Sequence, residues 1–150
     1  MSAHDKPTPL NFKKVTIEVS DGLVKEAGLF AASFISYSVR TDPLGYAVRR
    51  RDSDFALLRK IILRQFPNIA VPPCNGNPPV KFTPMLVKKK ERYYTRFMQA
   101  LARSEEIKTS QLLLDFVFES DNKNWAKVIK EANDKFKAPR NLEEYVTSNG

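Results

Sequence analysis

The hydrophobic period of this chain changes once, at Arg51–Asp52, and does not change back. Before that point apolar residues recur at every second position. Val15, Ile17 and Val19 alternate with Lys14, Thr16, Glu18 and Ser20, and Ile35, Tyr37 and Val39 alternate with Ser36, Ser38 and Arg40. That is the period of half-buried strands. Ser-Asp-Gly at 20–22 predicts the end of the first strand, with a connector to about Gly28. "TDPLG" at 41–45 predicts a turn into a third strand, Tyr46 to Arg51. Strands joined this closely imply an antiparallel meander. Past Asp52, Phe55, Leu58, Ile62 and Phe66 fall at helical spacing, with Leu57, Ile61 and Leu63 broadening the stripe. Asp52 or Ser53 is the predicted N-cap and Pro67 the stop. "VPPCNGNPPVKFTP" at 71–84 reads as an ordered loop. A second helix is predicted from Met85–Lys88 to about Ala102, burying Val87, Tyr94, Phe97, Met98 and Leu101. A shorter one is expected over 110–120. Another runs from Asn122 to about Lys137, with Trp125, Val128, Ile129, Ala132 and Phe136 on one side. Strands first and helices after give an α+β fold, a three-stranded antiparallel sheet packed against a helical layer.

The 150 residues make one domain's worth of chain, and 42% hydrophobic content suffices for a packed core. The net charge of +8 favours a polyanionic partner: nucleic acid, anionic lipid or an acidic protein face. The lone Cys74 allows no disulfide within the chain, which suits a cytosolic setting. No apolar run has signal-peptide or membrane-span length, so a soluble protein that meets a membrane from the side is expected. Catalysis finds little support. His4 is the only histidine, Cys74 has no histidine to serve as its base, no cluster has metal-ligand spacing, and no glycine loop cradles phosphate. An enzyme, a metal and a cofactor are therefore not expected.

Binding is better supported. Alternation puts Arg49 and Arg51 on one face of the third strand and Arg50 on the other, with Tyr46 and Val48. The strand runs into a helix start, which also favours an anion. Lys81 lies in the proline loop, and Lys88, Lys89, Lys90 and Arg92 open the next helix. Packed with their N-termini toward one end, the two helices bring these cations to one pocket. Between the basic groups, Phe82, Met85, Leu86 and Val87 form an apolar loop patch flanked by lysines, which suits an element that dips into a bilayer. Plainer readings stand beside these. The cations form a solvated face, the apolar patch caps the core, and Tyr93 and Tyr94 pack against the sheet. Nucleic acid is not expected, since neither a stacking platform nor a groove-entering helix is evident.

The segments also carry a resemblance. "VSDGLVKEAGLFAASFISYSVRT", "GYAVRRRDSDFALLRKIILRQFP", "VPPCNGNPPVKF", "KKKERYYTRFMQAL" and "SQLLLDFVFES" together resemble the phox-homology (PX) domain of sorting nexins. The likeness runs from about Val15 to Ser120. Residues 1–11 read as a flexible N-terminal tail. The likeness implies a PX-like domain at 12–120, and the C-terminal helix and tail at 121–150 lie past it, expected either to pack on the domain or to lead to a further domain. In that family the arginine before the motif's tyrosine holds the 3-phosphate of phosphatidylinositol 3-phosphate, a place taken here by Arg51. The loop lysine that meets the 1-phosphate falls on Lys81. The arginine that grips inositol hydroxyls falls on Lys90, which lacks the planar fork, with Arg92 on the neighbouring turn as a substitute. The larger departure is Asp52, where the family places a tyrosine that stacks on the inositol. A carboxylate about 5 Å from a phosphate, at an effective dielectric near 20, repels by roughly 3 kcal/mol. That is about two decades of affinity. Asp52 is thus expected either to pair with Arg49, Arg51 or Lys90 and tie the pocket shut, or to tune the site away from 3-phosphate recognition. Asp54, where the family usually has an acid, should serve the helix N-terminus. The resemblance implies a peripheral membrane module of endosomal or vesicular traffic, cytoplasmic and docked on endosomal or vesicle membranes. Its partners would be phosphatidylinositol 3-phosphate or another phosphoinositide, an anionic membrane surface and a trafficking protein. The alternative is an adaptor of the same fold that has lost lipid binding.

Overall fold

The computed structural model describes residues 15–26, 29, 32–74 and 81–136. The tail at 1–11, the connector around Gly28, positions 75–80 of the proline stretch and the chain past 136 lie outside the described residues. Three strands, β1 (Thr16–Lys25), β2 (Phe34–Asp42) and β3 (Tyr46–Arg51), form one antiparallel sheet in the order β1-β2-β3. Ile17, Val19, Ile35, Tyr37, Val39 and Val48 are buried, as the alternation requires.

One boundary differs. Ser-Asp-Gly does not end β1. Ser20 faces Ser38 and Leu23 faces Ser36, so Asp21 and Gly22 both stand opposite Tyr37 in a bulge. Asp21 takes a positive φ of 50°, which a short polar side chain tolerates. Side chains from outside β1 hold the bulge. Arg49 donates from Nη1 to the Asp21 carboxylate (3.0 Å) and from Nη2 to its carbonyl (2.9 Å). The Gly22 N–H donates to Glu91 Oε1 at 3.0 Å. A Cβ on Gly22 would collide with the Val87 side chain, so glycine is required where α2 crosses the strand.

α1 (Asp52–Gln65) follows β3 without a loop. Its N-cap is Arg51, not Asp52 or Ser53 as expected. Asp52 turns into the interior, and the capping role passes to Asp54, whose carboxylate accepts the Arg51 N–H at 2.7 Å. The helix ends ahead of Pro67, as expected. Arg59 Nε donates to the Pro72 carbonyl at 2.9 Å and holds the start of the proline stretch against α1. α2 (Pro84–Arg103) begins at Thr83, whose hydroxyl accepts the Leu86 N–H, with Pro84 in the first turn. This cap places Met85, Leu86 and Val87 in a helix rather than in a loop. A 3-10 turn (Ile107–Thr109) leads to α3 (Gln111–Phe118), capped by Ser110, and α4 (Asn122–Lys135), capped by Asp121.

The core is aromatic. Phe55 and Tyr94 stack with centroids 3.9 Å apart, Tyr37 meets both rings edge-on, and Phe116 bridges Phe55 to Trp125. α4 packs on α1 and α3. Its Trp125 is buried and donates from Nε1 to Asp54 at 3.0 Å, and Arg64 of α1 reaches the Phe136 carbonyl. Arg50 is separated from its neighbours as the alternation predicts, but it is 1% exposed. It donates to the carbonyls of Arg49, Asp115, Phe116 and Glu119, and lies over Trp125 at 4.4 Å. Burial pushes its pKa down to about 10, partly offset by Asp54, Glu119 and Asp115, so it stays charged at neutral pH. Arg50 thereby fastens the C-terminal end of α3 to the sheet: it shares the Asp115 carbonyl with the Glu119 N–H and serves the Phe116 and Glu119 carbonyls past that last helical bond.

Candidate lipid-binding site

At the β3–α1 junction the chain direction turns Asp52 inward and Arg51 outward. Asp52 is 3% exposed and Lys90 is 4% exposed. Lys90 Nζ lies 3.1 Å from Asp52 Oδ1. The Tyr37 hydroxyl donates to the same oxygen at 3.2 Å, and the Tyr94 hydroxyl donates to it through a short bond. Lys90 and Tyr94 are four residues apart on α2, so one helix face delivers both. Tyr37 comes from β2, and Asp52 is the first residue of α1. The cluster thus ties the sheet and two helices together at a buried ion pair. Of the three pairings open to Asp52, the fold uses Lys90. Arg49 is taken by Asp21, Ser36 Oγ and the Ser36 carbonyl, and Arg51 lies over the Phe34 ring at 4.1 Å. The estimate of a bare carboxylate repelling a phosphate therefore does not apply, because an ammonium already answers the Asp52 charge.

The cluster has a measurable consequence. Burial first, then the charge and hydrogen bond of Asp52, raise the pKa of Tyr37 well above the usual phenol value. Burial and the hydrogen bond to Asp52 do the same for Tyr94. In the unfolded chain both phenols ionise near pH 10. Their contribution to stability is thus complete below about pH 10 and is lost as pH rises above it, by roughly 1.4 kcal/mol per pH unit for each tyrosine. Arg50, depressed to about 10, works in the opposite sense over the same range. The difference between proteins isolates the phenol. In urea unfolding between pH 10 and 11.5, Tyr94→Phe should lose stability less steeply than the parent, by about 1.4 kcal/mol per unit. Parallel slopes would remove Tyr94 from the cluster.

The other candidates lie apart. Arg51 is exposed and lines a cavity of about 330 Å³ with Phe34, Ser36, Arg49, Ser53 and Asp54, closed by Asn122, Trp125, Ala126 and Ile129 of α4. Arg92 lines a different cavity, between α2 and β1. Lys81 is exposed just ahead of α2. Of the apolar patch, Val87 is buried against the sheet and Phe82 is half-buried against the core, which leaves Leu86 partly covered and Met85 82% exposed. The expected four-residue insertion patch is therefore reduced, because Val87 must fill the space above Gly22. Sequence reasoning missed Leu23, Val24 and Leu29, which are 43%, 46% and 96% exposed. A cavity of about 310 Å³ sets Val24 beside Phe82 and Pro84. Adjacent Leu23 and Val24 after the bulge were the available signal, since two neighbouring strand residues cannot both face the core.

A three-stranded meander, a strand-to-helix junction bearing Arg51, and a helix that sets Lys90 against that junction define a PX-type module. The PX domain family model matches residues 42–120, just over half of the sequence, and the chain belongs to that family. Sorting nexin-4 of Cryptococcus neoformans var. neoformans serotype D is 32% identical over 98 residues, covering 56% of this chain and 20% of that protein. Sorting nexin-41 of Neurospora crassa is 29% identical over 120 residues, covering 71% of this chain and 19% of that protein. The matched stretches span about a fifth of the length of these relatives. PX domains as a family are non-enzymatic modules that bind phosphoinositides at membranes, and sorting nexins act in membrane traffic. Among the described residues no helix is long and apolar enough to cross a membrane.

Proposed function

We propose that this chain is a peripheral membrane-targeting module of endosomal or vesicular traffic whose grip on phosphoinositide head groups is weak or altered. The observation that carries this is the buried Asp52–Lys90 pair. The residue type that would stack on inositol is replaced by a carboxylate, and that carboxylate occupies the cation that would meet the inositol hydroxyls. Arg51 remains exposed for a phosphate, with Lys81 and Arg92 also at the surface. Met85, Leu23, Val24 and Leu29 supply exposed apolar contact, and Lys25, Lys88 and Lys89 are exposed cations near them in the chain. Apolar tips with lysines around them suit shallow insertion into an anionic interface. The resulting partner is an anionic membrane surface carrying a phosphoinositide, with selectivity set by Arg51 alone rather than by a closed ring of contacts.

Vesicle flotation tests this with phosphatidylserine-containing vesicles, each doped with one phosphoinositide. The expected result is binding that differs by less than about tenfold between phosphatidylinositol 3-phosphate and its isomers, about 1.4 kcal/mol, with the residual preference abolished by Arg51→Ala. A hundredfold preference for one isomer would refute it. The same closed pair also favours a second reading, an adaptor of PX fold that binds a protein and no lipid. That protein stays in the supernatant with every phosphoinositide.

A further inference from the structure

The cavity between β1 and α2 shares only Lys88 and Arg92 with the lipid reading. It holds about 560 Å³ and is lined by Thr16 to Ser20 on the strand side and by Lys88, Arg92, Thr95, Arg96 and Gln99 on the helix side. β1 is an edge strand, so one row of its backbone groups has no strand partner. At Val19 that row is capped by Thr95, whose hydroxyl accepts the Val19 N–H at 2.9 Å and donates to the Val19 carbonyl at 3.2 Å. The two-residue period of an antiparallel ladder sends the N–H and C=O of Ile17 to the same outer edge. There the next turn of α2 brings Gln99, and no side chain among the described residues caps Ile17. Arg92 and Arg96 are exposed along the groove, and neither makes an ion pair among the described residues. Glu91 at the base is taken by the Gly22 N–H and Lys88.

We infer that this groove docks an extended acidic segment of a partner protein. Two arginines four residues apart on a helix stand about 6 Å apart along its axis. Alternate side chains of an extended peptide repeat at about 6.7 Å. A segment with an acid at every second position therefore sets successive carboxylates on Arg92 and Arg96, each a fork suited to a carboxylate, while its backbone pairs with the open edge at Ile17. Glu18 also lines the groove and repels an acid placed beside it, so the acidic side chains of the segment face the arginines of α2 and not the strand. A membrane fits this groove less well than a peptide. Arg96 is about 16 Å along α2 from Met85, the exposed apolar tip, and a lipid head group makes no use of a strand edge.

The test uses the intact chain and a fluorescein-labelled ten-residue peptide alternating glutamate and threonine. Fluorescence anisotropy should show saturable binding that Arg96→Lys retains within about threefold and Arg96→Glu weakens by about tenfold or more. Amide spectra should place the largest shift at Ile17. Arg96→Glu should leave flotation on phosphatidylserine vesicles within about twofold of the parent. Equal peptide binding by Arg96→Glu, or shifts spread over every basic surface without Ile17, would overturn the inference. So would loss of vesicle binding with peptide binding intact, which gives the groove to the membrane. An Ile17 amide already protected from exchange without peptide would also overturn it, because the chain would then fill its own groove.

Discussion

Asp52→Ala should destabilise the domain by about 3–5 kcal/mol, as expected when one partner of a buried ion pair is removed. The substitution leaves Lys90 at 4% exposure without its carboxylate, and leaves two buried phenols without their common acceptor. For a domain whose total stability is on the order of 5–15 kcal/mol, that is a large share. The loss is not the worth of the pair itself, because it includes the cost of keeping a buried ammonium after its carboxylate is gone. A double-mutant cycle separates the two. Asp52→Asn with Lys90→Met should recover part of the loss seen in Asp52→Asn alone, with a coupling energy on the order of 2 kcal/mol. Urea midpoints at pH 7 measure all four proteins. Additive losses would mean that Lys90 and Asp52 do not sense each other in solution.

Arg50→Ala should cost about as much, roughly 4 kcal/mol, through a different mechanism. Its guanidinium serves four carbonyls, three of them at the C-terminal end of α3, and lies over the Trp125 ring at 4.4 Å and the Phe116 ring at 5.6 Å. Each buried carbonyl left without a donor costs about 1–3 kcal/mol, and a desolvated cation–π contact adds up to about 2 kcal/mol; water entering the space relieves part of that sum. Arg50→Lys keeps the charge but not the fork, so it should recover less than half of the loss. A drop below about 1 kcal/mol for Arg50→Ala would show that α3 is held by its apolar face alone.

The order of elements was legible because strand and helix periods differ so clearly on either side of Arg51. Pro67 stopped a helix where its missing N–H demands, and Ser110 and Asp121 proved to be caps of the helices expected there. The bulge was not legible. Asp21 and Gly22 look like a turn in any local reading, and what keeps the strand going is Arg49 and Glu91, which are 28 and 69 residues from their bonds' other ends. The separation of Arg50 from Arg49 and Arg51 was visible in the alternation, but not its burial, since an arginine goes inside only where helix-end carbonyls wait for it. At the candidate site, the sequence placed Asp52 beside three cations and could not choose among them. Lys90 wins because the periodicity of α2 turns it, together with Tyr94, toward the sheet. The exposure of Leu23 and Val24 depended on the unrecognised bulge and was missed for that reason.

The most direct measurement follows the Lys90 ammonium by ¹H–¹⁵N NMR while a water-soluble, short-chain phosphatidylinositol 3-phosphate is added. With Asp52 and two phenols holding the interior, the Lys90 signal should be protected at the start and should not move as the lipid is added, while signals of Arg51 respond. A Lys90 resonance that shifts and saturates with the lipid would show the ammonium leaving Asp52 for the inositol, and would contradict a head-group pocket closed from within.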